Sequence, residues 1–246
     1  MVRSAIPSHI LKQLGHIELD AQFSGGLPQV SSSSGKTYYA KTGTPREREQ
    51  FVGEAESLRA IALAAPGLAP SLLAFGFVDE KGEEINGSEG RPFFISEYKD
   101  LRPLTVRSGA VLGKRLATEL HNHTSPNGLG YGFAVPTFCG ATRLRNGWYE
   151  TWERCFDVLI GDLLSTLEAR GGYSDLCRRG QDVRLRRVSL SLPPPPPSAV
   201  LHSPRSPHAS IDISFFFISS YLYLERYQLY LVHFKSDRYY CTGTYG

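Results

Sequence analysis

A lysine that closes a strand and a glutamate inside the next helix constrain this chain more than any other feature. Thr37, Tyr38, Tyr39 and Ala40 make a short strand-like run ending at Lys41, and an amphipathic helix that carries Glu54 begins after Pro45. Phe51, Ala55, Leu58 and Ala62 recur at the spacing of a helix face packed on a core. Glu54 falls at the edge of that face. A carboxylate there needs a counter-charge, because an unpaired buried charge is costly, and the nearest candidate on the preceding strand is Lys41. The spacing predicts a sheet with one helix laid on it and an ion pair joining the two.

The flanking pattern extends this unit. Residues 7–14 give a short amphipathic helix (Ile10, Leu11, Leu14) opened by Pro7 and Ser8, with Gly15 as its stop. A loop with Gly25 and Gly26 leads into Val30, a Ser/Gly turn and the strand ending at Lys41, so residues 17–41 read as strands joined by turns. Pro66, Gly67 and Pro70 end the Glu54 helix; Leu72 to Val78 reads as a strand, 79–90 as an acidic hairpin loop, and Pro92 to Tyr98 as a buried strand. Residues 1–98 therefore form one α+β unit. From Ser108, placed to cap a helix, the character changes to helical: Leu112, Leu116 and Leu120 make one stripe. Beyond a loop with Tyr131, Gly132 and Phe133, a second stripe of Trp148, Trp152, Phe156, Leu159, Leu163 and Leu167 predicts a helix of about 20 residues.

Composition adds bounds. A chain of 246 residues, 41% hydrophobic and 21% charged, has room for one large or two small domains. Cysteines at 139, 155, 177 and 241 form no CxxC pair and no metal-ligand spacing, which predicts reduced thiols in a cytoplasmic protein. Met1 to Ala5 has no apolar leader, and the most apolar stretch, 211–234, is interrupted by Asp212, Glu225 and Arg226, so no membrane span is expected. The Arg run (Arg178, Arg179, Arg184, Arg186, Arg187) lacks interleaved aromatics and reads as solvated, not as a nucleic-acid surface. Near residue 178 the composition breaks. Residues 179–246, with Pro193 to Pro197 and Phe215 to Phe217, are expected to be a low-order Arg/Pro/Ser-rich and aromatic tail.

Several motifs occur in a specific order: the Gly25–Gly26 loop, Tyr-Ala-Lys at 39–41, Phe-Val-Gly-Glu-Ala-Glu-Ser-Leu at 51–58, and Phe-Phe-Ile-Ser-Glu-Tyr at 93–98. Leu-Gly-Lys-Arg-Leu-Ala-Thr-Glu-Leu-His at 112–121, Gly-Tyr-Gly-Phe at 130–133 and Asn-Gly-Trp-Tyr-Glu-Thr-Trp-Glu at 146–153 follow. With these, residues 5–178 resemble the front part of the fructosamine kinase (ketosamine 3-kinase) family, relatives of aminoglycoside phosphotransferases and protein kinases. The resemblance implies an α+β, protein-kinase-like two-lobed fold, here truncated, with an N-lobe over 1–98, the start of a helical C-lobe over 99–178, and ATP between the lobes. By motif position Lys41 contacts the phosphates and Glu54 orients it, Gly25 and Gly26 cover the phosphates, and the segment with Ser96, Glu97 and Tyr98 is the interlobe hinge that reads adenine. The implied cofactors are ATP and Mg2+. The implied partners are glycated proteins or small ketosamines, phosphorylated at the sugar 3-hydroxyl in protein deglycation; the oligomeric state stays open.

The sequence departs from that family where chemistry is needed. Phosphoryl transfer requires a base or orienting Asp and side chains that hold magnesium, supplied in ketosamine kinases by a His-Gly-Asp loop with a downstream Asn and by an Asp-Pro motif. Neither follows the Trp148 stripe, since none of His202, His208 and His233 precedes Gly-Asp. Gly161–Asp162 lacks the histidine and is expected to be a solvent-facing helix position, and Asp237 is no better placed. No catalytic residue is found, and the chain is expected not to phosphorylate sugars. The change of composition is what an unspliced intron or a shifted reading frame would produce. The alternatives are a noncatalytic nucleotide-binding fragment and an Arg/Pro-rich interaction protein with pentaproline as a ligand for aromatic grooves.

Overall fold

The computed structural model of the protein describes residues 5–87, 89–124 and 130–189. Pentaproline, the Phe215–Phe217 run, Cys241, Asp237 and the three C-terminal histidines lie outside the described residues.

The sheet comes first and is antiparallel throughout. Strands β1 (Phe23–Gly26), β2 (Gln29–Ser32), β3 (Thr37–Thr42), β4 (Leu72–Val78) and β5 (Arg91–Glu97) lie in the order β1-β2-β3-β5-β4. Helix α1 (Ser8–Ile17) packs on one face and helix α2 (Arg48–Ala64) on the other. Alternation along a strand sends neighbours to opposite faces, so Tyr38 and Ala40 join Ile10, Leu14 and Ile95 under α1, while Tyr39 packs with Phe51, Ala55, Leu58 and Phe94 under α2. Because both faces are covered, β5 reads as a continuous apolar run. Its adjacent Phe93 and Phe94 are each 1% exposed, one in each core.

Two helix boundaries differ from the sequence pattern for physical reasons. Gly15 lies inside α1, which continues to Ile17; the stripe Ile10, Leu14, Ile17 goes on burying surface, which outweighs the roughly 1 kcal/mol that a mid-helix glycine costs. In α2 the stripe ends on Ile61, 4% exposed, and Ala62 faces solvent. A 3-10 turn over Pro45–Glu47 starts that helix, with Thr44 and Glu47 closing a reciprocal capping box.

The second half packs on the far side of α2. Helix α3 (Val106–Arg115) is capped by Thr105, not by Ser108: the Thr105 hydroxyl accepts from the Ser108 N–H and the Ser108 hydroxyl accepts from the Thr105 N–H. Ser108 is the third helical residue of its own box. A π-helical turn over Leu116–Leu120 then buries Leu120. Four short strands follow, β6 (Tyr131–Gly132), β7 (Thr137–Cys139), β8 (Thr142–Leu144) and β9 (Trp148–Tyr149), before helices α4 (Trp152–Arg170) and α5 (Ser174–Ser189).

Trp148 was expected on the long helix and instead sits in β9, paired with Gly132 of β6. Thr151 caps α4 and fixes its start four residues later, at Trp152. The pairing explains two glycine-rich motifs at once. A Cβ on Gly132 would fall 1.7 Å from the Gly147 carbonyl oxygen, so the 130–133 and 146–149 segments can close on each other only with glycine there. The helical stripe is covered, because Leu159, Cys155, Trp152 and Leu163 pack with Ile61, Ala60 and Ala64 of α2 and with Leu116, Leu120 and Leu144. On its other side α4 meets α5, which runs straight through the compositional break near residue 178. Gly180 rests against Leu164, Gly161 against the Arg184 guanidinium, and Arg184 Nε donates to Asp157 at 2.8 Å.

Candidate functional site

The site grows from the one strand position where a lysine meets α2. Lys41 follows the buried Ala40 in β3 and therefore projects to the α2 face. Its ammonium stands 2.5 Å from Glu54 Oε2, with side chains 24% and 19% exposed. Two aromatic rings flank it, Phe51 with its centroid at 4.5 Å and Phe94 at 5.3 Å. Phe94 is also the residue directly across the ladder from Lys41. The rings strip water from one side of the ammonium and their faces attract it, so the lysine is held on three sides and open on the fourth.

The Glu54 carboxylate also acts on a neighbour. Tyr39, two residues before Lys41, has its phenol pushed up to about 12, first by burial and then by the Glu54 carboxylate. Glu47, in the turn that leads into α2, is held low chiefly by the Thr44 N–H and hydroxyl, with a lesser pull from Lys41.

Gly25 and Gly26 lie at the end of β1, where Gly26 pairs with Gln29 around a cis Leu27–Pro28 bond. Gly25 has φ 103°, and a Cβ would fall 2.9 Å from the Gln29 carbonyl oxygen, so hairpin geometry alone requires glycine there. The Pro28 carbonyl accepts from the Ala40 N–H at 2.8 Å, which sets the tip of this hairpin beside Lys41.

Glu97 and Tyr98 sit at the other end of the same ladder. Glu97 pairs across from Tyr38, three positions from the Lys41–Phe94 pair, or roughly 10 Å along the strands. Its carboxylate accepts from Lys99 Nζ at 2.9 Å and the Ser71 N–H at 3.0 Å, and these two partners, Lys99 first, hold its pKa below the usual carboxylate range. Tyr98 is 38% exposed, and its N–H reaches the Thr37 carbonyl only at 3.4 Å.

Asp162 is not solvent-facing as expected. Its side chain is 14% exposed and accepts both Nε and Nη2 of Arg145, Nε at 3.0 Å. Arg145 leads from β8 toward β9 and is itself 72% exposed, so it is the half-buried Asp162 that gains a counter-charge from the pair. That carboxylate is committed to an ion pair.

The sequence pattern missed the parts that hold α2 in place. Arg143 of β8 grips Glu49 of α2, and Gly53 lets the chain pass so close that a Cβ there would lie 2.4 Å from the Pro136 carbonyl oxygen. A glycine one position before Glu54 was the available signal. Among the described residues no three His, Cys, Asp or Glu side chains converge as a metal site, and no helix is long and apolar enough to cross a membrane. Among the described residues Cys139, Cys155 and Cys177 form no disulfide.

The fructosamine kinase sequence profile matches residues 11–182. A crystal structure of a candidate fructosamine-3-kinase from Haemophilus somnus 129PT superposes with a TM-score of 0.52 and 20% identity over 75% of this chain, which is a likeness of fold. This chain spans 61% of that protein's length. No curated protein matches the chain.

Proposed function

This chain belongs to the fructosamine kinase family, a phosphotransferase family, and from that premise we propose that its N-terminal half holds ATP with the phosphates against Lys41. The Lys41–Glu54 pair carries this reading. Glu54, with Phe51 and Phe94, restricts the lysine to one orientation, and the exposed remainder of the ammonium attracts phosphate oxygens without first having to be ordered. Gly25 and Gly26 bring backbone N–H groups over the phosphates from the hairpin tip beside Ala40. In this reading the segment with Glu97 and Tyr98 is the hinge, where a purine acceptor would compete for the Tyr98 N–H with the Thr37 carbonyl that holds it at 3.4 Å.

The family reaction, carried over to this chain's substrate class, transfers the γ-phosphoryl group of ATP to the 3-hydroxyl of a ketosamine on lysine, as in protein deglycation. The hydroxyl oxygen forms a bond to phosphorus while the bond to the bridging oxygen of ADP breaks, and the hydroxyl proton must pass to a base. The sequence holds no His-Gly-Asp loop to take it, and Asp162 is neutralised by Arg145. Magnesium is the second group the family implies. Among the described residues no group of three His, Cys, Asp or Glu side chains is placed to hold it. We infer that this chain binds nucleotide without transferring phosphate.

Calorimetric titration with ATP, paired with an assay of glycated-lysine phosphorylation, tests both parts. Binding without turnover is expected. Absence of binding removes the nucleotide reading, and measurable turnover removes the noncatalytic one.

A further inference from the structure

Tyr38 and Tyr39 are neighbours in β3, and only one of them uses its hydroxyl inside the fold. Tyr38 faces α1, and its hydroxyl donates to the Glu18 carboxylate at 2.6 Å. Tyr39 faces α2, where its partly buried ring packs with Phe51, Ala55, Leu58 and Phe94. Its hydroxyl has no hydrogen-bond partner among the described residues. A phenylalanine would fill the same space, so the hydroxyl adds nothing to this core that the ring does not already supply.

The groups around Tyr39 leave that hydroxyl unclaimed. Glu54 acts on the phenol electrostatically and, after burial, helps to push it up to about 12, yet its Oε2 accepts from Lys41 instead. Near neutral pH the phenol is therefore protonated and a donor. Ser96, directly across the ladder, is 3% exposed and turns its own hydroxyl onto the Glu97 carbonyl at 3.2 Å.

Position identifies what can use the donor. Tyr39 and Lys41 share one side of β3 and stand two residues, or roughly 7 Å, apart along it. In the other direction Tyr39 is one step of register from the Tyr38–Glu97 pair that leads to Tyr98. A nucleotide laid with its phosphates at Lys41 and its purine at Tyr98 crosses Tyr39 with the part between them, the ribose. Ribose oxygens accept hydrogen bonds, and a neutral donor is what the fold leaves at that point.

We propose that the Tyr39 hydroxyl donates to a ribose oxygen of the bound nucleotide, which makes Tyr39 the residue by which this site tells a nucleoside triphosphate from a bare polyphosphate. The inference rests on the nucleotide reading of Lys41 and Glu54 and adds a contact that neither of them makes.

The test uses the full chain. Calorimetry with ATP and with inorganic tripolyphosphate, at matched ionic strength, is run on the wild type, on Tyr39→Phe and on Lys41→Ala. Tyr39→Phe keeps the ring and its packing, and its melting temperature without ligand is the control for folding. This variant is expected to bind ATP about three- to tenfold more weakly, the loss of one hydrogen bond from a neutral donor, and to bind tripolyphosphate as the wild type does. Lys41→Ala should weaken both ligands. The proposal fails, with the nucleotide reading intact, if Tyr39→Phe binds ATP as tightly as the wild type. It fails too if that variant weakens both ligands alike, which would mean that Tyr39 acts through the phosphate end. A wild type that binds neither ligand removes the nucleotide reading itself, and this contact with it.

Discussion

Glu49 of α2 and Arg143 of β8 meet in a two-point ion pair, with Nε at 2.5 Å and Nη2 at 2.8 Å from the two carboxylate oxygens, although 94 positions separate them in the chain. The pair ties the second half of the molecule to the helix that carries Glu54. Its side chains are 41% and 46% exposed, so it contributes at most about 1 kcal/mol to stability. Its larger effect is to fix the rotation of α2 about one turn before Glu54. Arg143→Ala is expected to weaken ATP binding by up to about fivefold with a small loss of stability. Calorimetry with ATP on that variant checks this, and an unchanged affinity would mean that Gly53 and the core hold α2 without the ion pair.

Removing either member of the Lys41–Glu54 pair separates charge from packing. Lys41→Ala should abolish the ATP-dependent rise in melting temperature, which for the wild type at ten times Kd corresponds to about 1.4 kcal/mol. Glu54→Gln keeps the volume and should weaken ATP by about tenfold, because the ammonium loses its fixed counter-charge. Equal ATP stabilisation of all three proteins would exclude phosphate contact at Lys41.

Two glycines predict opposite outcomes for the same substitution. Gly53→Ala drives a methyl into the Pro136 carbonyl and should destabilise by about 1–3 kcal/mol. Gly15→Ala meets nothing within 4 Å inside α1 and should stabilise by roughly 0.5–1 kcal/mol. Chemical denaturation of both variants measures the contrast directly.

Acid sensitivity has an identifiable source in Glu18. Hydrogen bonds from Ser34 and from the Tyr38 hydroxyl, the latter at 2.6 Å, hold its carboxyl down to about 2, and the same contact helps burial push Tyr38 up to about 12. A depressed carboxyl stabilises the fold above its ordinary pKa of 4.5 and loses that contribution as pH falls toward 2. Tyr38→Phe should therefore raise the Glu18 pKa and shift acid unfolding to higher pH. Carbon-detected NMR titration of the Glu18 carboxyl reads the first effect and circular dichroism the second; an unmoved titration midpoint would mean that Ser34, Ser32 and Lys36 set it without Tyr38.

The sheet, α2 and the Lys41–Glu54 pair were legible in the sequence because each follows from local periodicity: alternation in β3, a 3.6-residue stripe in α2, and one charge that needed another. What stayed hidden depends on contacts between distant segments. Nothing local told Trp148 to join a two-residue ladder with Gly132, nor Arg143 to reach Glu49, nor Phe94 to flank Lys41 from across the ladder. Asp162 was misjudged for the same reason, since its partner Arg145 arrives from a hairpin and not from its own helix. Gly15 and Ser108 were misread where a tertiary core or a neighbouring threonine overruled a single-residue preference.

Helix α5 crosses the seam in composition without interruption, and the residues that lock it to α4, Gly180 and Arg184, lie just beyond that seam. A shortened version ended at 178 would sever the helix in its first turns, leave Asp157 only the 3.8 Å pair with Arg154 and take Gly180 off Leu164. The smallest piece of this protein worth expressing for crystals therefore reaches past 184, whatever the origin of the residues that make the last stretch look foreign.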